Sequence, residues 1–352
     1  MVYNERIERL RQSLTEPLLI SFLPNIRYLT GFTGSNAFVF LTESSFVFVT
    51  DGRYAELADR LMAEIDGSET VVYRSGLEDV LAEQLSGHER AALEAQDVKW
   101  SFVHALKAKT DTFLVPSKGK VEALRQVKDD AEIAALAAAA HAGDKAFARV
   151  RSHAGDAATE GDLGWALIEE MRNAGGRQAG WPPIVACDAN AALPHHLSTD
   201  HPMGSRLLLL DYGCTVDGYH SDMSRTIWLD GEVEPEIAKM HAAVLESQEA
   251  GIAAVRPGIT GGEVDEVCRT VLRKYGYEHL FVHSTGHGVG LEIHEGPRLA
   301  PGSEDVLTAG HVVTVEPGVY VPGFGGIRIE DMVVVTDTGY RVLTKSDKGL
   351  QA

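Results

Sequence analysis

The sequence predicts a two-domain α/β protein whose second domain carries internal pseudo-two-fold symmetry. Three observations carry this. Apolar runs alternate with helical patterns from residue 1 to about 120, a basic Pro/Gly-containing junction leads into a long helix, and a weak duplication follows. The length agrees, because 352 residues exceed the usual size of one domain.

In order, Asn4 is placed to cap a first helix in which Ile7, Leu10 and Leu14 share a face. The strand patterns LLISFL, NAFVFL, SFVFVT and TVVYR follow, with helical patterns RYAELADRLMAEI and LEDVLAEQL among them. PSKGKVEALRQVKDDAEI reads as the domain junction, giving domains 1–123 and 124–352. In the second domain, AALAAAAHAGDKAFARV and then HAGDAATEGDLGWALIEEMRNAGG are matched by HAAVLESQEAGIAAV and then RPGITGGEVDEVCRTVLRKYGY. Thr159 and Thr260 are positioned to cap the second helix of each copy. Each copy then runs into apolar strands that carry carboxylates.

An apolar fraction of 44% with 7% aromatics supports a core in each domain and argues against disorder. Acidic residues number 51 against 32 basic ones, and the net charge of -19 would repel phosphate backbones, so nucleic acid is excluded as a partner. Cys187, Cys214 and Cys268 are odd in number and lack a CxxC, which indicates neither a disulfide framework nor a thiolate zinc site and predicts a reducing cytoplasm. MVYNERIERLRQ has no apolar signal core and no stretch is long enough for a membrane span, so the expected protein is soluble, unexported and without a membrane partner.

The chemistry-bearing residues lie in the second domain. In SRLLLLDYGCTVDGYHSDMSRTIW a four-Leu run ends at Asp211 and a second strand begins near Tyr219, predicting a β-hairpin. Alternation puts His220, Asp222 and Ser224 on one face, with Asp211 facing Asp222 across the turn. In GGIRIEDMVVV, Arg328 and Glu330 share a face, and Glu316 ends an apolar strand just before Pro317. Burying an isolated carboxylate is costly unless it is protonated, paired or metal-bound. Arg328 and Arg225 can neutralise two at most. Divalent ions held by oxygen ligands and His287 match the rest, and four carboxylates balance two such ions. An ion pair of that kind lowers the pKa of a shared water and stabilises an oxyanion, which suits amide hydrolysis. The glycines of STGHGVGLEIHE lack the full GxGxxG pattern of a nucleotide loop and are expected to admit close backbone approach, with His283, His287 and His294 clustered there.

DYGCTVDGYHSDMSRT, HSTGHGVGLEIHE, TVEPGVY and GGIRIED together closely resemble the Xaa-Pro peptidases, metallopeptidases of the pita-bread fold related to methionine aminopeptidase and creatinase. NIRYLTGFTGSNAF resembles their N-terminal creatinase-like domain, which methionine aminopeptidases lack. The resemblance implies that Asp222 and Glu330 bridge two metal ions, that Asp211 completes one coordination sphere, and that His287 with Glu316 completes the other. Glu316 is then also the proton shuttle for a metal-bridging water. His294 is implied to contact the substrate near the scissile carbonyl, His283 and His195 to line the proline pocket, and Arg328 and Tyr320 to orient the ligand carboxylates. Creatinase loses members of the ligand set, so the complete set here implies a working centre. The chain departs from the family pattern at His196, where glycine is common, at Ser224, where threonine is common, and at His311, where methionine is usual.

Within this family, prolidases cleave Xaa-Pro dipeptides and aminopeptidases P act on longer peptides. A dipeptide enzyme needs a cation for the proline carboxylate, and Arg298 and Arg53 are the candidates. The expected activity is Xaa-Pro dipeptidase, with aminopeptidase P and a non-catalytic pita-bread binding module as alternatives. Manganese is the expected metal, cobalt, zinc and iron being compatible. The substrate is a small peptide with proline second, and the resemblance implies a homodimer.

Overall fold

The computed structural model describes residues 2–351, and the chain divides into two compact units, one ending at Arg125 and the other beginning at Gln126. In the first, six strands form one mixed sheet: β1 (Leu18–Ile20), β2 (Ala37–Leu41), β3 (Phe46–Asp51), β4 (Ser68–Tyr73), β5 (Arg90–Glu94) and β6 (Phe113–Ser117), in the order β4-β3-β2-β1-β5-β6. The β1–β2 and β2–β3 pairs are antiparallel and the other three are parallel. Helices α1 (Val2–Gln12), α2 (Leu23–Thr30), α3 (Ala55–Met62), α4 (Leu77–Leu85) and α5 (Trp100–Lys107) accompany the sheet. One core joins Leu19, Phe40, Val49, Leu81, Leu93 and Leu106.

Asn4 does not cap α1, because the helix already begins at Val2; its amide nitrogen instead donates to Asp66. Ile7 and Leu10 are buried as expected, but Leu14 lies past the helix end and is only partly covered. Helix α2 is preceded at its cap position by Phe22, which has no capping side chain. Glu94, at the end of β5, takes that role and accepts from the backbone N–H groups of Ser21 and Phe22, each at 2.8 Å. Burial pushes this carboxyl up to about 7.

Helix α6 (Lys120–Gln126) leads across the division into the second unit, whose first helix is α7 (Asp130–Val150), capped reciprocally by Asp129 and Glu132. Then come α8 (Glu160–Asn173), β7 (Gln178–Ala179), β8 (Ile184–Cys187), β9 (Leu207–Tyr212), β10 (Cys214–Val216), β11 (Tyr219–His220) and β12 (Met223–Trp228). The second copy supplies α9 (Pro235–Ala254), α10 (Gly261–Tyr275), β13 (Gly286–Gly288), β14 (Glu295–Leu299), β15 (Val312–Val315), β16 (Gly318–Val321), β17 (Gly325–Arg328), β18 (Asp331–Thr336) and β19 (Gly339–Val342). Thr159 caps α8 and Thr260 caps α10, each accepting from the amide three residues on. Both threonines also form an isolated antiparallel bridge to a later segment, at Pro202 and Val306 respectively. The duplication is therefore structural as well as sequential.

The four-Leu run explains why β9 lacks polar alternation. Leu207 and Leu209 enter one core, with Met240, Val264 and Ile327, while Leu208 and Leu210 enter another, with Ala142, Phe147 and Leu167. Strand β9 is covered on both faces. Each such leucine contributes about 1.5–3 kcal/mol.

The site strands are tied from behind by a buried ion pair. Arg225 Nη2 lies 2.7 Å from Asp331 Oδ1, and both side chains are 1% exposed. Arg225 also donates to the carbonyls of Ser224, Glu330, Ser346 and Asp347, and Lys348 Nζ reaches Asp331 Oδ2. Burial pushes the Asp331 carboxyl up, but Arg225 and Lys348 prevail and hold it at about 2 against an ordinary 3.8. A depressed folded-state pKa gives stability that is complete above the unfolded value and is lost as pH falls through the folded one. We therefore expect Asp331 to stabilise the fold fully above pH 3.8 and progressively less down to about 2. Arg225→Met, which removes the more buried of the two cations on that carboxylate and leaves Lys348, should cost about 3 kcal/mol in urea unfolding at neutral pH; a loss below about 1 kcal/mol would show the pair to be dispensable.

Candidate metal centre

Two strand pairings bring the carboxylates together. Strands β9 and β12 run antiparallel with Ser224 opposite Asp211, so Asp222, two residues before Ser224, is the diagonal neighbour of Asp211 on the same face. The predicted hairpin is present, but its register sets Asp211 against Ser224 rather than Asp222. Its tip is the Asp217-Gly218 pair, with φ of 50° and 82°, as a two-residue reversal between twisted strands requires. Strands β15 and β18 pair Val315 with Asp331, so continuing that register sets Glu316 against Glu330. The segment GGIRIEDMVVV is not one strand. It passes from β17 to β18, which lie in different sheets, and Glu330 sits at the crossing, its N–H donating to the Ser224 carbonyl at 3.1 Å.

His287 occupies the middle of β13. A Cβ on Gly286 would lie 2.0 Å from the Thr314 carbonyl oxygen, and one on Gly288 the same distance from the Gly296 oxygen, so only glycines let neighbouring strands close around this histidine. His287 Nδ1 lies 3.0 Å from the Gly288 carbonyl, which can only accept, so Nδ1 carries the proton. Burial pushes the ring's pKa down to about 4, leaving it neutral with the Nε2 lone pair facing out. That lone pair faces Asp222 Oδ2 at 3.5 Å and Glu316 Oε1 at 3.4 Å. These contacts are not ion pairs, since a neutral imidazole nitrogen confronts carboxylate oxygens.

The electrostatics call for a cation. Asp222 and Glu316 are driven well above their ordinary pKa, and Glu330 up to about 8, by burial first and then by neighbouring carboxylates. Asp211 Oδ2 accepts from Arg328 Nη2 at 2.5 Å, but its Oδ1 is buried without a hydrogen-bond partner among the described residues. Ligand atoms of Asp222, His287 and Glu330 all lie within 4.8 Å of one another. Acceptor groups gathered in this way, two carboxylates and one imidazole nitrogen with Glu316 and Asp211 alongside, fit a divalent ion bound through oxygen and nitrogen.

Around this set Arg328, 3% exposed, distributes its donors. Nε donates to Ser224 Oγ at 2.8 Å, and Ser224 Oγ donates to Glu330 Oε2 at 2.8 Å, so Arg328 and Glu330 do share a surface. Nη1 donates to Tyr320 Oη at 2.7 Å and to the Pro194 carbonyl at 3.3 Å. His283 Nδ1 faces the Ser284 carbonyl at 2.8 Å and burial lowers its pKa to about 4, so Nε2 accepts from Tyr320 Oη at 2.8 Å. Burial holds the Tyr320 hydroxyl at about 12, keeping that proton in place.

Comparison with known proteins matches residues 134–337 to metallopeptidase family M24 and residues 6–127 to the creatinase/prolidase N-terminal domain. This chain belongs to metallopeptidase family M24. It is 35% identical to the uncharacterized peptidase YqhT of Bacillus subtilis over 98% of this chain and 99% of that one. The solved Xaa-Pro dipeptidase from Bacillus anthracis superposes with a TM-score of 0.94 at 36% identity, covering 99% of both chains. The X-Pro aminopeptidase from Thermotoga maritima gives 0.89 at 30% identity, covering 98% of this chain and 99% of that one. Divalent metal goes with M24 membership, and the expected creatinase-like domain and pita-bread fold are both present.

The remaining residues singled out in this M24 peptidase divide clearly. His294 is exposed and sets its ring edge-on to His287, centroids 4.4 Å apart; desolvation lowers its pKa while Asp211 pulls the other way. His195 is exposed on the segment after β8, near enough for its charge to bear on His283 and His294. Arg298 is exposed on β14 and opposes His287 in register. Arg53 belongs to the first unit, where its guanidinium grips Asp51 through Nε and Nη2 at 2.9 and 2.8 Å. His311 hydrogen-bonds through both ring nitrogens to Thr308, which accounts structurally for the departure there. Sequence reasoning missed Thr314, whose hydroxyl accepts from the His287 N–H and donates to Glu316 Oε1. The two-residue spacing from Glu316 was the available signal. Glu160 was also missed, and nothing local in the sequence marks it.

Without a cation, Asp222→Asn should relieve repulsion, so the metal-free variant is expected to melt no lower than wild type. Wild type should gain about 2.7 kcal/mol with Mn²⁺ at 100-fold its Kd, a gain the variant loses. An equal rise in melting temperature for both proteins would remove Asp222 from the metal centre.

Proposed function

We propose that the protein is a Xaa-Pro dipeptidase that uses two divalent ions, manganese first, held by Asp211, Asp222, His287, Glu316 and Glu330. The observation that carries this is the buried acceptor set around the neutral His287 Nε2, in a chain aligned end to end with a Xaa-Pro dipeptidase. Charge counting supports two ions. With Asp211 met by Arg328, three carboxylate charges remain; one divalent ion leaves the cluster negative, whereas two make it positive enough to attract the scissile carbonyl oxygen and stabilise the charge that develops on it. Bound ions supply Lewis acidity that activates water and stabilises the developing oxyanion.

The chain's own groups do the rest. Water attacks the carbonyl carbon of the residue before proline, the C–N bond breaks, and the proline nitrogen must gain a proton because it leaves as a secondary amine. Glu316 takes the water's proton and returns it to that nitrogen, a role for which its carboxylate is placed beside His287 Nε2, at 3.4 Å, within the ligand cluster. His294, exposed at the rim, contacts the substrate near the scissile carbonyl. His283 is held by Tyr320 in the tautomer with Nδ1 protonated, and with His195 it lines the proline side. Arg298 meets the proline carboxylate. Arg328 orients Asp211 directly and Glu330 through Ser224.

Three buried free cysteines suit a reducing cytoplasm, and among the described residues no helix is long and apolar enough to cross a membrane. A homodimer is the assembly the resemblance implies. An aminopeptidase acting on longer peptides is the second reading, favoured by the likeness to the Thermotoga maritima enzyme.

The deciding experiment is hydrolysis of Ala-Pro against Ala-Pro-Ala by the Mn²⁺-loaded protein, where Ala-Pro should be the better substrate. Arg298→Ala should lower kcat/KM for Ala-Pro by roughly 10- to 100-fold, the worth of a charge-assisted bond, and leave Ala-Pro-Ala nearly unchanged. Equal losses would refute the clamp, and inertness on both peptides would refute the peptidase.

A further inference from the structure

Glu160 is the first residue of α8, its side chain is 0% exposed, and no step above uses it. It gathers three hydrogen bonds from one segment. Oε1 accepts from the Cys187 N–H at 2.8 Å and from Asn190 Nδ2 at 3.0 Å, while Oε2 lies 2.7 Å from His196 Nε2. These donors bracket the short 3₁₀ turn Asp188–Ala192 and the tight turn after it, where the His196 N–H returns to the Leu193 carbonyl. From the other side the same segment is held at the Pro194 carbonyl by Arg328. His195 lies between the two anchors, next to His196.

We infer that Glu160 and His196 are positioning residues that clamp the Asp188–Leu197 segment from below, so that His195 and the Pro194 carbonyl keep their places beside the metal centre. The inference rests on the peptidase reading for its kinetic consequence only. The physical case is asymmetry of anchorage. Ala191 and Ala192 are buried and hold the first half of the segment by packing, but beyond them the side chains Leu193, His195 and Leu197 are exposed and gain little from it. The order of this far half must therefore come from its polar bonds, and a buried carboxylate taking three donors is the strongest of these. Histidine at this position supplies the donor that closes the far end. The same residues leave the ligand carboxylates untouched, so the clamp should govern how substrate is held rather than the rate of the chemical step.

The test compares Mn²⁺-loaded wild type, His196→Ala, Glu160→Gln and His196→Gln. With Ala-Pro, His196→Ala and Glu160→Gln should raise KM by about fivefold with kcat within about twofold, and His196→Gln, which keeps a side-chain N–H donor, should return KM most of the way. Unchanged KM, or a fall in kcat that His196→Gln does not rescue, overturns the inference. Amide hydrogen exchange gives a readout independent of activity. The Cys187 and His196 amides should exchange about tenfold faster in His196→Ala than in wild type, with β9 and β12 unaffected. Unaltered exchange at these amides also overturns it. If wild type fails to cleave Ala-Pro, the peptidase reading falls, and the exchange result alone decides the clamp.

Discussion

Mutual repulsion among buried carboxylates is the constraint on which the second unit depends. Asp211, Glu316 and Glu330 each raise the proton affinity of a neighbouring carboxylate, and burial adds to the effect at Asp222, Glu316 and Glu330. No flexible segment would hold such groups together, because the chain would relax by moving them apart. The groups therefore sit at strand ends whose backbones are fixed on both sides. Asp211 and Asp222 come from one antiparallel pair, Glu316 and Glu330 from another, and the bond from the Glu330 N–H to the Ser224 carbonyl joins the two.

That rigidity has its own supports. The alternate leucines of β9 fill two cores, so the strand bearing Asp211 cannot slip by one residue without exchanging the contents of both. Arg225 binds the carbonyls of Ser224 and Glu330 on the side away from the ligands and pairs with Asp331. Glycines at 286 and 288 let the strand bearing His287 approach where any side chain would force it away. The duplicated helix pairs with their threonine caps repeat one architectural unit twice, and the carboxylate pairs lie where the two repeats meet.

How far the sequence was legible follows from this division. Asp211, Glu316 and Glu330 stood out because each follows an apolar run, where an unpaired charge is costly, and Asp222 because it lies close behind Asp211 in the same hairpin. Arg328 does meet Glu330, but through Ser224 rather than along one strand. The threonine caps were legible because a cap is a local bond. What failed was what depends on exact register or distant partners. The hairpin's register and the break between β17 and β18 are settled by pairing across the sheet, and the start of α1 fell two residues before the Asn4 that seemed placed to cap it. Glu160 was invisible because its donors lie at residues 187, 190 and 196, joined to it only by the fold.

Arg328 shows why one arginine links the metal-binding side of the site to its substrate-facing side. Its Nε reaches Ser224 and through it Glu330, Nη2 takes Asp211, and Nη1 serves both Tyr320 and the Pro194 carbonyl. Tyr320 in turn donates to Nε2 of His283, whose tautomer the Ser284 carbonyl sets, and Pro194 adjoins His195. A displacement of Asp211 or Glu330 is thereby transmitted to both histidines through a single planar group. Lysine carries the same charge but offers three donors from one point on a flexible stem, too few and too close together to reach four acceptors spread around a fork. What is required at this position is therefore the geometry of the guanidinium as much as its charge, since charge alone would neutralise Asp211 and leave the substrate side unheld.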